Sequence, residues 1–141
     1  MEREILFRGK RKDNGEWIES LTLFQLDENL YMLQTAWADI TYDLQYNITA
    51  ILGRKKPFLV EVIPSTVGRY TGLTDKNGVK IFEGDILEAE NGNRGHVVFR
   101  NGAFMKLCNS EDMPFLIAAD VNVVIGNVFD NPEQLKGESN V

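Results

Sequence analysis

The residues able to do chemistry in this protein of 141 residues are few and scattered. Its single histidine, His96, stands in Arg94-Gly95-His96-Val97, and its single cysteine, Cys108, closes Ala103-Phe104-Met105-Lys106-Leu107-Cys108. A Ser–His or Cys–His nucleophile needs an imidazole poised beside it as base. No recognisable motif surrounds either residue. His96 therefore reads as a surface or strand-edge histidine, and Cys108 as a buried structural thiol, because a free cysteine packs as a small hydrophobe. Two such residues are too few to hold zinc. Carboxylates offer a hard-cation alternative, with Glu83, Asp85 and Glu88 close together and Glu111-Asp112 a separate pair. The structural reading of Glu83-Gly84-Asp85 is the stronger one: glycine makes a tight turn and Asp85 accepts bonds from neighbouring backbone N–H groups. Gly68-Arg69-Tyr70-Thr71-Gly72 lacks the Lys-Ser/Thr that meets phosphate and magnesium in a P-loop. No catalytic, cofactor-binding or metal-binding residue is assigned, no cofactor is expected, and the protein reads as non-enzymatic.

Two basic clusters remain, Arg8, Lys10, Arg11 and Lys12 in the first and Arg54, Lys55 and Lys56 in the second, with Trp17 and Phe58 nearby in sequence. A positive surface with aromatic platforms is the arrangement that binds single-stranded nucleic acid. Basic residues at a turn also simply keep it solvated. Net charge decides against a generic polyanion binder: the total is −6, with residues 1–66 at −2 and 67–141 at −4. An acidic domain lacks the counterion release that drives non-specific DNA affinity.

The elements that must position these residues are mostly strands. Ile5 to Lys10 and Trp17 to Leu23 form a pair around Lys12-Asp13-Asn14-Gly15, with β-branched and aromatic residues in short runs between turn formers. Leu30 to Trp37 is a strand or an apolar helical turn, and the alternation at 42, 44, 46 and 48 favours a strand over Thr41 to Leu52. Gly53-Arg54-Lys55-Lys56-Pro57 breaks the sequence in two. Beyond it come Phe58 to Ile63, Arg69 to Leu73, Val79 to Phe82, Ile86 to Glu90, Val97 to Arg100, Ala103 to Cys108 and Val121 to Phe129. Asn77-Gly78 is a hairpin signal because both residues tolerate the positive φ of a type I′ turn. Asn77, Gly78, Gly84 and Asp85 are thus structural turn residues. Asn131 is placed to cap a short terminal helix with Pro132 at its first position. Short strands at close spacing point to a mainly β fold: N-terminal strand hairpins over 1–57 with a variable middle, a C-terminal SH3-like small β-barrel over 58–135, and a flexible tail over 136–141.

Three segments in order resemble the YopX-like phage and prophage family. They are Arg3-Glu4-Ile5-Leu6-Phe7-Arg8-Gly9-Lys10 with Asn14-Gly15-Glu16-Trp17-Ile18, then Tyr70-Thr71-Gly72-Leu73…Asp75-Lys76-Asn77-Gly78…Glu83-Gly84-Asp85-Ile86, and Val123-Val124-Ile125-Gly126-Asn127-Val128-Phe129-Asp130-Asn131-Pro132-Glu133. The resemblance implies a mainly β protein with an SH3-like second part and a phage or prophage origin. It brings no established biochemical activity, so no site residue transfers from it. The middle, Leu26 to Phe58, has no clear match.

The expectation is a self-associating, non-enzymatic protein-interaction module, a homo-oligomer meeting an unidentified phage or host protein. The alternative is a nucleic-acid-binding accessory protein using the clusters at 8–12 and 54–56. Without disulfides, a signal peptide or a long apolar run, the protein is expected in the bacterial host cytoplasm and not in a membrane.

Overall fold

The computed structural model describes residues 4–33, 59–108 and 114–136. Among them lie twelve strands and one short helix: β1 (Phe7–Lys10), β2 (Trp17–Ser20), β3 (Phe24–Leu26), β4 (Asn29–Leu33), β5 (Leu59–Val62), β6 (Gly68–Thr74), β7 (Lys80–Phe82), β8 (Asp85–Ala89), β9 (Arg94–Arg100), β10 (Ala103–Cys108), β11 (Pro114–Leu116), β12 (Asn122–Asn127) and α1 (Glu133–Lys136). Within each of the two units described below the paired strands run antiparallel, and the fold is mainly β. The protein divides into two compact units, 6–67 and 1–5 with 68–141. The expected break at 53–57 and the expected strand over 41–52 lie outside the described residues, as do 137–141 of the expected tail.

In the first unit β1 and β2 form a hairpin, and β3, β4 and β5 a small sheet in that order. The bridge Arg11↔Val62 joins hairpin to sheet, reinforced by Ile63 N–H donating to the Lys10 carbonyl at 2.9 Å and Lys12 N–H to that of Glu61 at 2.9 Å. Alternation along the strands turns Ile18, Met32, Val60 and Val62 inward, where Phe7, Leu23, Leu30 and Val67 pack on them. The open choice over 30–37 resolves as strand for Asn29–Leu33, since Met32 and Leu33 must be buried between two neighbours.

The second unit is built on a five-stranded sheet, β11-β10-β9-β8-β12, with β6 and β7 as a separate hairpin partnership. Ile81, Leu87 and Val97 form its core with Phe104, Ile117, Ala119 and Val124 around them. The sheet is strongly curled. Neighbouring strands stand about 4.8 Å apart, so β10 and β12 would lie roughly 14 Å apart in a flat sheet. Yet Lys106 on β10 donates from Nζ to Asn122 Oδ1 on β12 at 2.8 Å, across the concave face. The curl stops short of the expected SH3-like barrel: among the described residues no pair closes the sheet. Both ends show why. β11 is three residues long and begins with Pro114, which has no N–H to donate. The outer edge of β12 is already taken by the β6–β7 turn, with Lys76 N–H on the Asn122 carbonyl at 3.0 Å and Val124 N–H on Asp75 Oδ2 at 2.9 Å.

Three further expectations change. β9 begins at Arg94, three residues before the expected start at Val97, and Gly95 is strand interior, where a Cβ would sit 2.6 Å from the Leu107 carbonyl oxygen. Asn77-Gly78 is no type I′ turn. Only Gly78 has positive φ, its N–H bonds the Asp75 carbonyl at 3.0 Å, and Lys76-Asn77-Gly78 form a three-residue loop with glycine at its left-handed end. Asn131 does not cap α1 through its side chain; Oδ1 turns back to accept the Asn127 N–H at 3.3 Å.

Candidate interaction surfaces

The first basic cluster lies on the β1–β2 hairpin, whose register pairs Arg8 with Glu19 and Lys10 with Trp17. Gly9 and Ile18 face the core, so Arg8, Lys10, Trp17 and Glu19 share the outer face. The Arg8 guanidinium lies 4.8 Å from the centroid of the Trp17 ring and the Lys10 ammonium 5.6 Å, both within cation–π range. The other two cations are engaged in ion pairs. Arg11 meets Asp13 at 2.8 Å, an interaction whose hydrogen bond holds the Asp13 carboxyl below its ordinary range, and Lys12 meets Glu61 at 3.0 Å. The run 8–12 is therefore a mixed-charge face with one indole, not a bare positive stripe. Arg54, Lys55 and Lys56 lie outside the described residues, as do Phe58 and Glu111-Asp112.

The carboxylates of 83–88 diverge. Glu83 takes the Arg69 backbone N–H and Nε on Oε1, both at 2.8 Å. Asp85 is 1% exposed and its Oδ2 accepts the Phe82 N–H at 2.8 Å. Glu88 holds Arg94 at 2.6 Å. Gly84, at φ +89, donates to the Val97 carbonyl and accepts from Val128 N–H, each at 2.9 Å. Each carboxylate thus has structural work, and among the described residues no three His, Cys, Asp or Glu side chains converge as a metal group. A nearer carboxylate escaped the sequence reading. Asp75, 5% exposed, accepts Asn77 and Val79 N–H groups on Oδ1 at 2.8 and 2.9 Å, besides Val124 on Oδ2. The Asp-x-Asn-Gly spacing of an Asx turn was its signal.

His96 and Cys108 sit on opposite faces of the sheet. Cys108 is buried at 3% exposure, with Asn93 Nδ2 donating to its sulfur at 3.5 Å. His96 is no strand-edge or surface histidine: it is the third residue of a strand flanked by two others, paired with Ile86 and Leu107, and half-buried. Its Nδ1 is buried without a hydrogen-bond partner among the described residues. Burial first, and then the charge of Arg100, hold the imidazole pKa below its ordinary value. Lys106, 5% exposed, is the buried cation that sequence reasoning missed.

Exposed large apolar side chains are spread over both units, and the most exposed of those in the described residues, Leu116, lies on β11 next to exposed Phe115. β11 pairs only with β10 among the described strands, through Met105↔Leu116 and Lys106↔Phe115. Leu116 is 76% exposed and Phe115 43%. Successive strand residues point to opposite faces, so the strand is uncovered on both. The apolar run Pro114-Phe115-Leu116-Ile117 could have flagged this strand in the sequence. A second aromatic group lies on β9 and β10, where Phe99 and Phe104 meet edge to face at 5.0 Å and the Arg69 guanidinium stacks 4.2 Å from the Phe99 centroid. Arg69 and Glu83 fix one another there, and the Phe99 ring, 40% exposed, is covered on one side by that guanidinium.

No curated protein matches the sequence. The crystal structure of protein EF1440 from Enterococcus faecalis has a similar fold, with a TM-score of 0.54, 22% identity, and coverage of 95% of this protein and 99% of that one. The family model described as YopX protein matches residues 6–136, which takes in both compact units. On that match, and with the segments that resemble it found in order on β1–β2, β6–β8 and β12, the protein belongs to the YopX family.

Proposed function

We propose that this protein is a phage- or prophage-encoded, non-enzymatic interaction module that self-associates through β11 and acts in the host cytoplasm. One observation supports the reading above all. The outermost strand of the five-stranded sheet exposes Leu116 by 76% and Phe115 by 43%, on opposite faces. Apolar side chains left on both faces of an edge strand are an invitation to a second copy. Pro114 and the shortness of the strand limit any shared backbone ladder, so side-chain burial supplies most of the contact. A two-fold arrangement of identical strands closes the assembly. The likeness to an SH3-like barrel is one of curvature: the five-stranded sheet curls, with β11 as its outer edge. Sedimentation at tens of micromolar tests it. A mass at a multiple of 16.0 kDa that falls to 16.0 kDa in Leu116→Lys supports the module, and a wild-type monomer refutes it.

The second reading is nucleic-acid binding, favoured by the two cations on Trp17. Asp13, Glu19 and Glu61 lie among the four basic residues of that face, which weakens it. Binding through Arg8 and Lys10 alone would give a salt slope of about −2 at most. Retention of DNA or RNA at low salt that vanishes in Arg8→Gln with Lys10→Gln is its signature.

A further inference from the structure

The sequence holds four Asn-Gly pairs, at 14–15, 77–78, 91–92 and 101–102. In such a pair the glycine backbone nitrogen can attack the asparagine Cγ, because no Cβ on the glycine obstructs the approach. The bond from that nitrogen to Cγ forms, the Cγ–Nδ2 bond breaks, and ammonia leaves with the glycine amide proton. Water then opens the succinimide ring at either carbonyl, leaving aspartate or isoaspartate. The reaction requires a glycine nitrogen that is free to turn toward the asparagine Cγ, and the fold grants that freedom unequally.

Three of the four nitrogens are held. Gly15 N–H donates to the Arg11 carbonyl at 2.9 Å, Gly78 N–H to that of Asp75 at 3.0 Å, and Gly92 N–H to that of Ala89 at 2.8 Å. Each of these glycines has positive φ and follows an asparagine that does not, the geometry in which a loop ends on glycine and folds its N–H back into the turn. Two of these asparagines are tied as well: Asn14 Oδ1 accepts the Glu16 N–H at 2.9 Å, and Asn91 Oδ1 accepts the Asn93 N–H at 2.9 Å. Asn101-Gly102 differs in kind. Both residues have positive φ, 53° and 80°, which makes a two-residue type I′ turn between Arg100 and Ala103. In that turn the closing bonds belong to the flanking strand residues, and the glycine N–H points to solvent. Both residues are exposed, and neither the Asn101 carboxamide nor the Gly102 N–H has a hydrogen-bond partner among the described residues.

From this contrast we infer that Asn101 is a built-in chemical modification site, converting spontaneously to aspartate and isoaspartate while the other three pairs are protected by the fold. The product adds a negative charge beside Arg100, and the isoaspartate form adds a methylene to the backbone of the turn that sets the β9–β10 register.

Peptide mapping of the native full-length protein, aged at mildly alkaline pH in ¹⁸O water, tests the inference. Each held amide slows attack by about fivefold, the net worth of one hydrogen bond. The expected native order is Asn101 first, Asn77 behind it by about fivefold or more, and Asn14 and Asn91 slowest, their carboxamides being tied too. In urea the four rates converge, because the protection is conformational. Equal native rates at all four pairs, or any held pair outpacing Asn101, overturn the inference.

Discussion

Asp75→Asn tests the claim that one carboxylate ties the β6–β7 turn to the edge of β12. Its Oδ1 accepts two N–H groups, from Asn77 and Val79, and its Oδ2 accepts the Val124 N–H, all between 2.8 and 2.9 Å at 5% exposure. Asparagine fills the same space but has one acceptor and one donor. Whichever way the amide turns, at least one buried N–H faces another N–H. An orphaned buried donor costs about 1–3 kcal/mol, and loss of charge assistance on the remaining bonds raises the total to roughly 2–4 kcal/mol. The pH dependence has a defined sign. Burial pushes the Asp75 pKa up, but the N–H groups of Val124, Val79, Asn77 and Gly78 outweigh it and hold the carboxyl below its ordinary value. Its contribution is therefore complete above the unfolded-state value of about 3.9 and is lost as pH falls through the lower folded value. Urea titrations of both proteins from neutral to acid pH should show the substitution destabilising at neutrality and the gap narrowing in acid. A variant within about 0.5 kcal/mol of the parent at neutral pH would refute the latch, because that is the scatter of an ordinary surface substitution.

Gly84→Ala combines a left-handed φ of +89 with a Cβ only 3.0 Å from Phe129 Cε2, so it should cost about 2 kcal/mol or more in urea denaturation; a neutral result would mean that the turn and Phe129 move together. His96 has its pKa lowered by burial and by Arg100, so its neutral form supports the fold above about 6.5 and that support drains as pH falls through the folded value. His96→Gln should lose less stability than the parent between neutral pH and mild acid, and matching pH profiles would exclude the imidazole as the cause. Arg69→Ala removes the bond pair to Glu83 and the stack on Phe99, and should cost about 1–2 kcal/mol, with near-ultraviolet dichroism reporting loosened aromatics. An unchanged aromatic signal would show that Phe99 and Phe104 hold one another unaided.

What could be read from the sequence was local. Asn-Gly and Gly-Asp pairs mark turns because glycine reaches positive φ within the four residues that make the turn, so Gly78 and Gly84 fall where turn chemistry places them. Even there the dipeptide did not decide the turn type. Asn101-Gly102 is type I′ and Asn77-Gly78 is not, because Asp75 offers its carbonyl to Gly78 and its carboxylate to Asn77 and Val79, which winds the latter loop around the aspartate. Non-local facts were hidden for a physical reason: burial depends on which strands become neighbours. His96 looked peripheral beside Gly95, yet Gly95 is where the Leu107 carbonyl comes close, and that contact carries β9 three residues further into the sheet. Lys106 stands in the sequence within an apolar run that names no partner for it, yet the fold brings Asn122 to it across two intervening strands. The basic run 8–12 was plain to see, whereas Glu61, which neutralises Lys12, lies 49 positions further on. The same logic separates the two candidate surfaces. A charged face forms wherever the hairpin forms, and its neighbours then cancel it, while Leu116 is exposed on a short edge strand that begins with Pro114, at the other end of the sheet from the β12 edge latched by Asp75. The edge that remains uncovered is thus a consequence of how the sheet ends, which makes it the stronger place to look for a partner.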